Sequence, residues 1–282
     1  MNIEHLIEHI RTILNFIKTL FISKFRTIDN IELKSSTLTI LANGPSLNKK
    51  LKSKLNFEGD VLVVNSFHKS SKFLEIKPKY YLVSAPEFWI PLNNTNYQEM
   101  QLSLERALKR MVSWNMIFFI PYKSKSFGYK SKIENLNPKI KVQYYNDSGL
   151  DSDSSLDRFL MTKKLAMPRP HNVLIPSIMT GIWVGYTQIK LYGVDHSWLP
   201  EIKVNKQNKT LINQKHFYDL DQSHHKPMTK SGRGERHLHE ILFKFYLSFK
   251  AYHNINSWAK KKGVKITNKT NNSFIDAFDR DY

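Results

Sequence analysis

"LTILANGPSLNKKL", residues 38–51, is the stretch on which the reading of the fold turns. An apolar run over 37–42 stops at Asn43-Gly44-Pro45-Ser46 and resumes as a lysine-rich helical pattern. A short apolar run bounded by a hard turn reads as a buried strand. Gly44 permits a tight turn and close backbone approach, Pro45 fixes the turn, and Ser46 suits a helix N-cap. A helix start of this kind leaves free N–H groups, a natural place for a phosphate. The plain alternative is an ordinary strand-to-helix turn, because Gly-Pro-Ser turns are common.

Outward from this stretch the pattern alternates. Strands are predicted at 60–65 (DVLVVN), 79–84 (KYYLVS), 115–120 (NMIFFI), 141–146 (KVQYYN), 188–195 (QIKLYGVD) and 264–267 (VKIT). Helices are predicted over 97–113, from Pro176 and Ser177 onward, and over a long amphipathic stretch from about 235 to Gly263. The stretch 147–172 is polar and irregular with one short helical part. Continuous apolar strands between helices predict an α/β fold: a Rossmann-like, mostly parallel sheet covered by helices on both faces. Ligands of such sheets bind at the carboxyl ends of the strands. Residues 199–234 are polar, bear histidines and are long enough for an active-site lid.

The 282-residue chain suits one large domain, taken as 31–282, with an appendage at 1–30. It has no cysteine, which excludes disulfides, thiolate catalysis and cysteine–zinc sites. Lys and Arg number 43 against 24 Asp and Glu, a net charge of +19. That excess attracts polyanions such as an acidic membrane surface or phosphorylated substrates, although a diffuse lysine excess also follows from an AT-rich genome. No nucleic-acid module and no basic stripe with interleaved aromatics is present, so nucleic acid is not an expected partner.

In the appendage Ile3, Leu6, Ile7, Ile10, Ile13, Leu14, Ile17, Leu20 and Phe21 form one helical stripe. Glu4, Glu8, Arg11, Asn15, Lys18 and Thr19 form the other face. No charge-free run is long enough to span a bilayer, and no signal-peptide cleavage site follows. The stripe suits an anionic inner membrane surface, with Lys18, Lys24 and Arg26 beside it, or a twin subunit. The alternative is packing on its own domain.

The NGPS turn together with "VVNSFH", "PSIMTGIWVG", "IKLYGVDHS" and "GVKITNKTNNSF" resembles the bacterial sialyltransferases of glycosyltransferase family 42 and the related MAF/DUF115-type surface-glycan proteins. The resemblance covers roughly 37–278. It implies a GT-A-like variant of the parallel sheet. It also implies inverting, metal-independent transfer of a sugar from a nucleotide-activated donor, CMP-sialic acid or similar, to a glycan or lipid-linked acceptor. Such an enzyme would work as a peripheral protein on the cytoplasmic face of the inner membrane, with the nucleotide sugar as substrate and no cofactor. By position Asn43, Gly44, Pro45, Ser46, Asn65, Thr180, Gly181 and Asp195 would line the donor. The chain departs from the family in Ala42, where glycine is usual, and in lacking a clear lid tyrosine pair. Tyr218 remains, and Lys226, Lys230, Arg233 or Arg236 are chemically competent to take over the phosphate role. A donor other than sialic acid is equally consistent with these departures.

Histidine suits a general base at neutral pH. The candidates are His196, at a strand end, His216, and His224, His225, His237 and His239 in and after the lid. Asp151-Ser152-Asp153 resembles a metal-binding D-x-D only superficially, since it lies in a polar stretch and not at a strand end. The other readings are a pterin pyrophosphokinase-like phosphoryl transferase, which needs acidic magnesium ligands near NGPS, and a non-catalytic basic membrane- or nucleic-acid-binding scaffold. Trp183 reads as core.

Overall fold

The computed structural model describes residues 13–14, 16–25, 27–53, 56–91, 95–214, 216–217, 224–229 and 234–281. Its centre is an eight-stranded sheet, parallel throughout. The strands are β1 (Thr37–Leu41), β2 (Asp60–Val64), β3 (Tyr80–Leu82), β4 (Met116–Pro121), β5 (Ile140–Tyr145), β8 (Gln188–Tyr192), β12 (Lys265–Asn268) and β13 (Asp279–Arg280). Their order is β13-β12-β8-β1-β2-β3-β4-β5. The first seven in chain order were legible as apolar runs. The two-residue charged edge strand β13 carries no such run.

Strand β1 is buried on both faces, as its continuous hydrophobicity requires. Leu38 and Ile40 join the larger core with Leu62, Tyr80, Ile178 and Tyr252. Leu41 turns to the opposite core with Val63, Phe67, Leu104 and Ile133. Helices therefore cover both faces. The first cover comes from α6 (Leu174–Val184) and α7 (Leu238–Lys261), the second from α1 (Leu47–Lys52), α3 (Thr95–Met111) and α4 (Tyr129–Leu136). Two further short helices are α2 (Phe73–Ile76) and α5 (Ser155–Thr162). Trp183 is core, with its indole N–H on the Met161 carbonyl at 2.8 Å.

The strand order reverses at β1. Its neighbours are β2 on one side and β8 on the other, so the switch point lies where β1 and β8 end. A crevice opens at such a point because the two following connections leave in opposite directions.

The region 199–234 is more than loop. Strands β9 (Ile202–Val204), β10 (Thr210–Ile212) and β11 (Lys226–Pro227) form a small antiparallel sheet. Ile212 packs with Ile241 and Phe245 of α7, which anchors this sheet. A second small sheet joins β6 (Ser148–Leu150) to β7 (Ala166–Pro168) in the stretch read as irregular.

The N-terminal helix is described at 13–14 and 16–22, and the part of its stripe from Ile3 to Ile10 lies outside the described residues. It is attached mainly by polar groups. The Thr19 hydroxyl is buried against the Ser148 hydroxyl at 2.7 Å, and the Ser23 hydroxyl donates to the Leu165 carbonyl at 2.7 Å. Phe16 packs against the larger core. Thr19, placed by sequence on the solvent face, is thus an inward contact. Ile13, Leu14, Ile17, Leu20 and Phe21 face outward, Phe21 at 86 % exposure.

Candidate functional site

The NGPS turn is clamped to the end of β8. Gly44 N–H donates to the Gly193 carbonyl at 2.8 Å. The Asp195 carboxylate accepts from the Ser46 N–H at 3.0 Å and from the Ser46 hydroxyl at 2.8 Å. This corrects the phosphate reading of the turn. Ser46 makes no side-chain cap, and its N–H already faces an anion. A phosphate placed there would meet the Asp195 charge. Burial pushes the Asp195 carboxyl upward, opposed by its bonds to Ser46.

Beside this clamp, at the switch point, lies a cavity of about 140 Å³. It is lined by Asn43, Gly44 and Pro45 of the turn, by Asn65 and Asp195, and by Asn172, Val173 and Leu174. His196, Trp198, Glu201 and His216 complete it. The lid is pinned here: Phe217 N–H donates to the Asn43 carbonyl at 2.9 Å, and the Asn48 amide donates to the Phe217 carbonyl at 2.6 Å.

Two asparagines give the cavity its polarity. Asn43 donates its amide to the Val64 carbonyl at 3.2 Å, while its Oδ1 is buried without a partner among the described residues. Asn172 Oδ1 accepts from Leu174 N–H at 3.0 Å and from the Tyr252 hydroxyl at 2.9 Å, while its Nδ2 is buried without a partner among the described residues. Two residues of the cavity lining thus each carry one buried side-chain atom without a partner among the described residues. Each such group costs about 1–3 kcal/mol of desolvation until something pairs with it.

His196 is held at φ +51 and is 8 % exposed. Its ring lies 4.2 Å from that of Trp198. Its Nε2 is 2.5 Å from the Tyr252 hydroxyl. That hydroxyl's one proton goes to Asn172, so Nε2–H donates to Tyr252. Burial depresses its pKa to about 3.

The other expected site residues divide. Asn65, at φ +47, receives the Ser84 N–H on its side-chain oxygen at 3.3 Å. Thr180 and Gly181 do not reach the cavity. They sit well inside α6, and a side chain at Gly181 would meet Leu38 Cδ2 at 2.6 Å, so this glycine lets the helix lie close on β1. The start of α6, at Val173 and Leu174, is what lines the site. Sequence reasoning missed Asn172. Its signal was a polar residue directly before a long apolar helix.

His224 is exposed, and His225 sits 3.7 Å from Glu201, outside the cavity lining. Lys226 is exposed on β11. His239 and Arg236 border a different cavity, and His237 serves as the N-cap of α7. Tyr218, Lys230 and Arg233 lie outside the described residues. The acids of the 147–153 stretch are engaged in ion pairs: Asp147 with Lys123, Asp151 with Arg169 and Asp153 with Arg158. Among the described residues no group of three or more histidine or acidic side chains gathers as a metal site. No protein-family model, curated protein or solved structure matches the chain.

Proposed function

We propose that the chain is an inverting glycosyltransferase on a GT-A-like variant of the parallel sheet, moving a sugar from a nucleotide-activated donor, CMP-sialic acid or similar, to a surface-glycan acceptor. The observation that carries this reading is the switch-point cavity with its unpaired Asn43 Oδ1 and Asn172 Nδ2. A nucleobase edge offers a donor and an acceptor, and so complements both. The start of α6 supplies the positive end of an eleven-residue helix for the nucleotide phosphate. His216 is assigned as base. His196, at about 3, takes up a proton too weakly for the task and acts to hold Tyr252 and Asn172. In the step, the acceptor hydroxyl gives its proton to His216 while its oxygen bonds the anomeric carbon. The bond from that carbon to the phosphate oxygen breaks, and the electron pair leaves with the nucleotide.

The test is a thermal-shift panel of CMP, UDP, GDP and dTDP, each with and without magnesium. One nucleotide raises Tm by several degrees in the wild type, and Asn43→Ala and Asn172→Ala each weaken that ligand about tenfold, the equivalent of one lost hydrogen bond. No shift with any of the four, or unchanged affinity in both variants, refutes the reading.

The acceptor side is assigned to the anionic inner membrane surface. Among the described residues no helix is long and apolar enough to cross a membrane. The N-terminal helix instead turns Ile17 and Phe21 outward beside Lys18, the pattern of an interfacial helix. Exchanging both for glutamate is expected to cut co-sedimentation with phosphatidylglycerol vesicles more than tenfold, at about 1.5–3 kcal/mol per buried side chain, while Tm stays within about 1 °C. Unchanged sedimentation removes the membrane from this reading.

A further inference from the structure

The segment Arg169–Leu174 separates two cavities. Asn172, Val173 and Leu174 wall the switch-point site, whereas Arg169 and His171 wall a second cavity of about 680 Å³ under the first half of α7. Its lining carries Arg169, Arg236, Lys244 and Lys250 against two acids, Asp151 and Glu240. Both acids are already engaged. Asp151 is bonded by both arms of the Arg169 guanidinium, and Glu240 receives the His237 N–H at 2.9 Å as part of the helix cap.

Among the described residues no ion pair is seen for Arg236, Lys244 or Lys250. Arg236 Nε and His171 Nε2 are buried with no hydrogen-bond partner among the described residues. No ion pair of Lys244 is seen among them, and Glu87 is the acid that acts on it at a distance. Burial is the main cause that draws the Lys244 ammonium below its usual range, and the Arg236 charge adds to it. His171 is drawn down to about 4, by burial first and then by Lys244 and Arg169. A fold has no structural reason to gather half-buried, mutually repelling cations around an open cavity, since each uncompensated one costs stability. An anion that enters the cavity would offset the mutual repulsion of Arg169, Arg236 and Lys244.

We propose that this second cavity is a binding site for a phosphate-class dianion, held by Arg236 and Lys244 with His171 as a neutral hydrogen-bond donor. Arg236 and Lys244 bring charge, and the unpaired Nε2 of His171, in the tautomer that protonates it, suits a phosphate oxygen. The rim is apolar. Phe243 and Tyr246 border the cavity at 61 % and 56 % exposure with their rings 6.3 Å apart. A phosphate group attached to a hydrocarbon chain therefore fits as well as a soluble one, and the site does not depend on what fills the switch-point cavity.

The experiment titrates the full chain with inorganic pyrophosphate and follows Tm and calorimetric affinity. Lys244→Met and Arg236→Gln are compared with Lys260→Gln, an exposed lysine on the same helix. Wild type and Lys260→Gln are expected to bind, and the two cavity variants to lose at least tenfold. Lys244→Met is also expected to raise Tm of the unliganded protein by a few degrees, because repulsion in the empty site is relieved; a merely misfolded variant would lower it. Asn43→Ala should retain the pyrophosphate response, so failure of the nucleotide reading stays distinguishable. Dodecyl phosphate below its micelle concentration is then compared with methyl phosphate. Tighter binding of the dodecyl ester, abolished by Phe243→Ser, assigns a lipid-borne phosphate; equal binding assigns a soluble one. Pyrophosphate affinity that is absent in the wild type, or equal in wild type and both cavity variants, overturns the proposal.

Discussion

Gly44→Ala is expected to lower Tm by about 10 °C and to abolish the nucleotide response together with it. A Cβ at this position would lie 2.5 Å from the Gly193 carbonyl oxygen and still nearer the Asp195 carboxylate. The carbonyl cannot retreat, because it accepts the Gly44 N–H and directly follows the last residue of the central strand β8. The carboxylate must swing out instead. It then abandons the Ser46 N–H and hydroxyl, two bonds to a charged acceptor worth about 1.5–3 kcal/mol each. A loss of about 3–5 kcal/mol in a chain of this size corresponds to the stated shift in Tm. The same corner holds the lid through Asn43 and Phe217, so the switch-point cavity opens when it shifts. Ser46→Ala, which removes one bond without a clash, is expected to cost only about half as much. A Gly44→Ala protein that melts within about 1 °C of wild type would show that the clamp is not rigid.

Acid is expected to destabilise the protein below pH 6.5, with His196 as a main cause. The unfolded chain takes up a proton on this imidazole near its ordinary value, 6.5, while the folded chain does not until about 3. Between those values the unfolded state binds more protons, so stability falls as pH falls and is flat in this group above pH 6.5. From pH 7 to pH 5 the group alone removes about 2 kcal/mol, at about 1.36 kcal/mol per unit. His68 and His171, each depressed to about 4 chiefly by burial, act in the same direction. Asp195 acts against them: its carboxyl is raised, so the folded state accepts its proton first on acidification. Urea unfolding at pH 7 and pH 5 isolates His196 when the wild type is compared with His196→Asn. Asparagine tolerates the left-handed backbone at φ +51. The wild type should lose about 2 kcal/mol more than the variant between the two pH values; equal losses would dismiss His196 as the acid-sensitive group.

The two effects mark the boundary of what the sequence shows. Local patterns carried the strands, because a central strand such as Leu38–Leu41 is apolar on both faces and ends at a glycine and a proline. They carried the corner as well: Gly44, Ser46 and Asp195 were each singled out. What they missed was that these residues meet one another. Asp195 lies far along the chain from Ser46, and no spacing rule says that its carboxylate occupies the N–H group that an isolated NGPS turn would leave free. In the same way the family resemblance placed Thr180 and Gly181 against the donor. Pairing of β8 beside β1 sets α6 across Leu38, which puts them in the core and its first turn at the cavity.

Sequence alone therefore determined the class of the fold, seven of the eight strands of the main sheet and the end of the sheet at which to look, since hydrophobic periodicity and turn chemistry are local properties. Tertiary structure decided which polar groups are paired and which are left over. Among the described residues, Asn43 Oδ1, Asn172 Nδ2, His171 Nε2 and Arg236 Nε are left without a partner by the packing of distant segments. Whether a buried donor or charge is satisfied depends on the whole packing around it, and it is these unsatisfied groups that point to the ligands.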